Sequence, residues 1–249
     1  MIPCMDTTLV WLFLIALGGA FIQTNIGFGF PLLAMVFLPL LFPFSTAVTL
    51  CQLIATVSTT YLTLKYWKFI DWRTMLPLLV VSIATGIVVT LFSMDMPQGS
   101  LKLILGVALV VISVFTVWFS ERLRIKPTVS AGAGMGLLAG LGNGFFGIGG
   151  PQIAIYLLAA VGEKRAYLAT IQCYFFISNI STIIVRTSNG SVTWEHTPYV
   201  LAGWAGIGLG TYLGLKIFNR IPHALLKKLV YAFIGLSGVW IVVQELLSR

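Results

Sequence analysis

Two short stretches of this chain gather residue types that can hold a ligand without carrying charge: "TNIGFGFPLL" at 24–33 and "GNGFFGIGGPQ" at 142–152. In each, glycines precede a proline: Gly27 and Gly29 before Pro31, and Gly147, Gly149 and Gly150 before Pro151. Amides stand beside the breaks, at Asn25, Asn143 and Gln152. Glycine lets a chain turn through positive φ and lets other atoms come close to the backbone. Proline is favoured at the first helical position, where its missing N–H costs nothing. Both stretches therefore read as a loop followed by a new helix, continued by "LLAMVFL" and "QIAIYLL". A helix start offers unpaired N–H groups and the positive end of its dipole, which together suit an anion. Gln52 and Gln172 add neutral amides in the segments that follow, with Ser58, Ser178 and Asn179 one to two turns further on. Gln52 and Ser58, six residues apart, lie about 240° apart around a helix and share no narrow face.

The surroundings of these breaks are apolar. Hydrophobic residues make up 58% of the 249 and charged residues 9%, and the mean hydropathy is +0.99. A soluble surface needs roughly a quarter of all residues charged, so the composition is that of an integral membrane protein. Apolar tracts at 10–21, 47–64, 75–92, 101–119, 166–185, 199–215 and 229–243 approach the ~20 residues that cross a bilayer as a helix. The acidic 1–6 stretch and the lack of a small-residue cleavage site predict that the first tract is retained rather than removed as a signal peptide. The net charge of +8 sits in short clusters between tracts, where it sets topology and does not mark a nucleic-acid partner. Cys4, Cys51 and Cys173 match neither a disulfide framework nor a metal-ligand spacing. No phosphate loop, nucleophile–base pair or metal constellation is present, so the expectation is a non-enzyme without cofactor or metal.

Sliding the sequence by 120 positions places Gly27 on Gly147, Gly29 on Gly149, Pro31 on Pro151, Gln52 on Gln172 and Ser58 on Ser178. With short gaps, Trp72 meets Trp194, Gly86 meets Gly208, and "MPQGSLK" (96–102) meets "IPHALLK" (221–227). The agreement in order of uncommon residues indicates an internal duplication, with repeats at 7–120 and 127–247 forming one membrane domain. The expected fold is all-α and polytopic. Each half holds a Gly/Pro-broken element, either a re-entrant hairpin or two short tilted helices, and then three transmembrane helices. The first half's spans fall near 45–66, 74–93 and 99–119, and the second half's near 166–186, 198–216 and 225–246.

Charge decides the topology. If each broken element leaves and returns on one side, all of the 15 Lys and Arg except Lys102, Arg186 and Arg249 fall on one face, as cytoplasmic loops require. Both termini then lie outside, and the halves run in opposite senses as an inverted-topology repeat. Two helix starts so related converge near the midplane, where such transporters hold substrate. All seven acidic residues fall in loops or at span ends, which leaves the interior without a carboxylate for a cation. Arg186, ending a span on the sparse side, reads as an interfacial anchor or as a guide for an incoming anion. Trp67, Trp72, Trp194 and Tyr199 read as an interfacial aromatic belt. The Gly132, Gly136 and Gly140 spacing reads as close helix packing.

The paired "GFGFP" (27–31) and "GIGGP" (147–151), each opening a half of a chain duplicated over nearly its whole length, resemble the TauE/SafE sulfite exporter family, also called the sulfonate uptake permease family. The resemblance implies a multi-pass permease of a bacterial or archaeal cytoplasmic membrane that moves sulfite, sulfoacetate or other small organic anions. Phe30 stands where a second glycine would match Gly150, so the two breaks are not identical.

The expected partners are thus a small anionic substrate and the lipid bilayer, with a proton or sodium as coupling ion and no nucleic acid. The expected binding residues are Asn25, Gly27, Gly29, Pro31, Gln52, Asn143, Gly147, Gly149, Gly150, Pro151, Gln152 and Gln172. The competing readings are an ion channel whose glycine segments expose carbonyls as a filter, a permease for small carboxylates, and a membrane scaffold without transport.

Overall fold

The computed structural model of the protein describes residues 5–26, 28–118, 127–217 and 223–247. Every regular element among them is helical: α1 (Met5–Ile26), α2 (Phe30–Leu41), α3 (Phe44–Tyr66), α4 (Trp72–Met94), α5 (Gln98–Trp118), α6 (Val129–Phe146), α7 (Gly150–Ala160), α8 (Lys164–Ser188), α9 (Thr197–Ile217) and α10 (His223–Leu247). Seven described helices, α1, α3, α4, α5, α6, α8 and α10, are long and apolar enough to cross a membrane. α2 and α7 are apolar but short. α9, expected as a full span, is 21 residues long and is not among those seven. The protein is a multi-pass membrane protein.

Local chemistry sets the helix ends. Asp71 caps α4 by accepting from the Thr74 backbone N–H at 3.1 Å, and Thr128 caps α6 by accepting from Ala131 N–H at 3.2 Å. Such caps satisfy amide donors that a first turn leaves without partners. α6 stops at Gly147, whose φ of 69° is left-handed. The Gly147 N–H donates to Asn143 O and the Ile148 N–H to Gly142 O, the paired bonds of a Schellman termination.

Both broken elements are antiparallel hairpins. As α2 proceeds from Gly29 through Phe30 to Leu33, the α1 residues beside it run backward from Ile22 to Gly19 and Gly18. Along α7, Gly149 lies against Ala139, while Tyr156 lies against Gly132 and donates to the Thr128 carbonyl at 3.3 Å. The prolines stand one residue later than expected, at the second helical position, whose N–H is also without an intrahelical partner. Positive φ is needed only at Gly29 (149°) and Gly147 (69°) of the break glycines described; Gly27 lies outside the described residues.

The main helix packings are α1 on α9, α4 on α6, α5 on α10 and α3 on α8. In lipid, apolar surface gains little by leaving its solvent, so association depends on close contact. Gly136, Gly140 and Gly144 of α6 bear on Leu78, Ser82 with Gly86, and Val89 of α4, respectively. Gly206, Gly210 and Gly214 of α9 bear in the same way on α1, and Gly106 of α5 meets Gly238 of α10. Gly132, expected in the α6 stripe, instead faces Tyr156 of α7, and Gly144 takes its place. Outward faces carry large apolar residues such as Val88, Phe92, Leu236 and Trp240, as lipid contact requires. Trp67, Trp72 and Trp194 are exposed at helix ends.

A Cβ at Gly140 would lie 2.7 Å from the Ser82 carbonyl oxygen, whereas Gly134 has nothing within 4 Å. Gly140→Val is expected to lower the unfolding temperature of detergent-purified protein, at a cost of ~1–3 kcal/mol or more. Gly134→Ala should leave it unchanged or raise it by up to ~1 kcal/mol, through helix propensity.

Candidate functional site

The two hairpin tips meet. A Cβ at Gly150 would stand 3.1 Å from Phe28 Cβ and ring atoms, tighter than an ordinary contact, so the lack of a side chain at Gly150 lets the second tip rest closely against the first. Between them lies a small pocket lined by Gly29 and Pro31 from one tip and Gly147, Ile148, Gly149, Gly150 and Pro151 from the other. Phe28, Leu32 and Phe175 give it apolar walls, and Gln23, Thr59 and Asn179 give it polar groups. All three polar residues are buried, and no Asp, Glu, Lys or Arg is in the lining.

Two helices begin at this pocket, and neither start carries a side-chain cap: Gly29 precedes α2 and Gly149 precedes α7. With proline at the second position of each, residues of both starts line this protein-walled space. Backbone without helical partners is tolerated at membrane depth only in such a setting. The arrangement offers partial positive charge and N–H donors to a small ligand, and no fixed negative charge to repel an anion.

The sequence-expected residues divide. Gly29, Pro31, Gly147, Gly149, Gly150 and Pro151 line the pocket. Gln52 and Asn143 do not; they brace it. Gln52 Nε2 donates to Asn143 Oδ1 at 3.2 Å and to Thr182 Oγ1 at 2.9 Å, and Asn143 Nδ2 donates to Ser178 Oγ at 2.9 Å. Their amide hydrogens are thereby engaged within the protein, at residues 1% and 3% exposed. The Gln52 side chain also lies directly under Gly147, 3.1 Å from where a Cβ would stand. Gln152 follows Pro151 on α7 with a buried Oε1 that has no partner among the described residues. The Asn25 side chain and Gly27 lie outside the described residues.

Gln172 lines a second cavity with Gln23, Thr24, Ser58, Tyr61, Lys65 and Tyr66. Gln23 belongs to the lining of both cavities, so the second one lies beside the first, toward the Lys65 end of α3. Gln23 and Thr59 are the site residues that sequence reasoning passed over. A signal was present, because the 120-residue offset that pairs the two glutamines also sets Gln23 on Asn143 and Thr59 on Asn179.

Arg186 corrects the expectation of an interfacial anchor. It is 1% exposed, and its guanidinium donates to Gly144 O, to Ser45 Oγ at 3.2 Å and to Ser93 Oγ at 3.4 Å. A long cation that reaches for water is the rule at span ends; here three neutral acceptors from α3, α4 and α6 hold it inside. Next to it, Ser191 joins the start of α3 to the end of α8 through Ser45 Oγ at 2.8 Å and Thr46 Oγ1 at 2.9 Å.

Comparison with known proteins finds no match among curated proteins and none among solved structures. The family model described as Sulfite exporter TauE/SafE matches residues 12–241, from α1 to α10 and across both hairpins. The chain belongs to the sulfite exporter TauE/SafE family of membrane transporters.

Proposed function

We propose that this protein is a permease for a small oxyanion, sulfite or a sulfonate such as sulfoacetate, across the cytoplasmic membrane of a bacterium or archaeon. The observation that carries the reading is the lining of one buried pocket by two uncapped helix starts. A sulfonate presents three acceptor oxygens and no proton at neutral pH, which converging N–H donors match. Gly29, Gly147, Gly149 and Gly150 bring backbone to the ligand, with Pro31 and Pro151 fixing the helix starts. Gln23 and Asn179 supply side-chain amides, Gln52 and Asn143 hold the α6–α7 tip, and Gln172 lines the approach. Asn25, Gly27 and Gln152 complete the set by position. A proton or sodium serves as coupling ion.

Transport by alternating access follows from treating 7–120 and 127–247 as inverted repeats. The packing supports this. Under the sequence correspondence α1 answers to α6 and α4 to α9, so the pairing of α1 with α9 exchanges with that of α6 with α4, while α3 with α8 and α5 with α10 exchange with themselves. Clustering of Lys and Arg on one face supports termini outside. The cavity lined by Lys65 and Gln23 would then lie on the cytoplasmic side of the pocket.

A thermal-shift panel of sulfite, sulfoacetate, thiosulfate and small carboxylates against purified protein should show stabilisation by a sulfur oxyanion, by ~2.7 kcal/mol at 100 times its Kd. No shift with any of them would overturn the anion reading, and a shift confined to carboxylates would move the substrate class. Asn179→Ala and Gln23→Ala should each weaken that binding about tenfold, the loss of one ~1.4 kcal/mol contact. Gln52→Ala should instead lower the unfolding temperature by roughly 2–10 °C, because Asn143 Oδ1 loses its buried donor. In a planar bilayer the protein should give no unitary conductance steps, whereas proteoliposome flux should saturate; steps would favour a channel.

A further inference from the structure

Arg186 has a place in the fold that a closing contact alone does not explain. It heads the largest fully buried side chains, inside a helix that reads as a span, and buried guanidinium groups ordinarily pair with carboxylates. Its described partners are all neutral: the Gly144 carbonyl and the hydroxyls of Ser45 and Ser93. Its Nε has no partner among the described residues. Gly144 belongs to the last turn of α6, where free carbonyls carry partial negative charge, so the cation is steadied without being neutralised.

Its direction ties it to the pocket. Cα–Cβ bonds in a helix tilt toward the N-terminus, and the Arg186 contact with Gly144, three residues before Gly147, agrees. Asn179, in the pocket lining, precedes Arg186 by seven residues, two turns on the same face and ~10.5 Å along the axis. Thr182 lies between them on α8. Polar groups thus continue past the pocket on the side away from Lys65, and the charged one is the last before Ser45 and Ser191 at the end of α8.

We propose that Arg186 is a second anion-binding station, which takes a small oxyanion passing between the hairpin-tip pocket and the Ser45–Ser191 face. The planar fork matches two oxygens of one sulfonate or sulfite. To take them it gives up Ser45 and Ser93, so the donors that seal this face are the ones that hold the anion when it opens. The station rests on the reading of the pocket as an oxyanion site.

The test is uptake of radiolabelled sulfite and sulfoacetate into proteoliposomes, with anion-induced thermal shifts on the same preparations, for wild type, Arg186→Gln and Arg186→Lys. Arg186→Gln should cut maximal flux at least ~10-fold while the Kd read from the thermal shift changes less than ~3-fold, because the pocket facing Lys65 is intact. Arg186→Lys keeps the charge but loses the two-oxygen fork, and should cut maximal flux at least ~3-fold, though less than Arg186→Gln does. Flux of either variant within ~2-fold of wild type would overturn the station. Should Arg186→Gln not be recovered from the membrane, Arg186→Lys against wild type decides by the same margin. Wild-type protein that neither binds nor takes up either anion would overturn the pocket reading and the station with it; wild-type flux with unaffected variants would remove the station alone.

Discussion

A helix that begins inside a bilayer leaves its first amide N–H groups with no water to meet them, and each unmet group in hydrocarbon costs several kcal/mol. This protein has two helix starts without side-chain caps, at Phe30 and Gly150, among membrane-spanning helices, and much of its architecture answers the problem such starts create. The tips are folded back as hairpins, pressed against each other through Phe28 and Gly150, and enclosed by α3 and α8, which supply Thr59, Phe175 and Asn179. What remains open to the tips is a space in the protein and not lipid. The polar wall of that space is made of amides and a hydroxyl, so its field comes from oriented dipoles.

The long helices can crowd around the tips because their contacts are cut back to backbone. Glycines of α6 lie on α4 and those of α9 lie on α1, and such approach gains dispersion over many atoms where the hydrophobic effect contributes little. The same closeness leaves the two sides of the tips in different conditions. Toward Arg186, Gln52, Asn143, Ser178 and Thr182 are joined in one buried network. Toward Lys65, Gln172, Gln23 and Ser58 line a cavity. Residues that correspond in the sequence, Gln52 with Gln172 and Ser178 with Ser58, thus occupy a packed setting on one side and an open one on the other.

Much of this was legible in the chain because the rare residues carry it. Gly-Pro breaks can be recognised without alignment, and their convergence follows from an internal offset and the placement of Lys and Arg. Side-chain commitments were not legible. Asn143 looks like a donor beside a break, yet its partners come from α3 and α8, and no local pattern discloses a bond across 91 residues to Gln52. Arg186 looks like a span-end anchor because position in sequence gives depth along a helix but not which face is covered. Gly132 shows the same limit at smaller scale: its spacing fits the α6 stripe, and the short α7, folded back along α6, claims it through Tyr156. Gln23 was missed because Asn25, two residues on, is nearer the glycines, although Gln23 is the one in register with Asn143.

The contact between Phe28 and Gly150 has a consequence for how the protein is made. When the first hairpin has been synthesised and inserted, the residue that covers its tip does not yet exist. Some 120 residues must still be added, which at ribosomal rates takes roughly 6–24 s. During that interval the helix start at Phe30 has α1 and α3 to pack beside it and no second tip above it. Until Gly150 arrives, the amides of that start lack the cover that the second tip gives them in the finished fold.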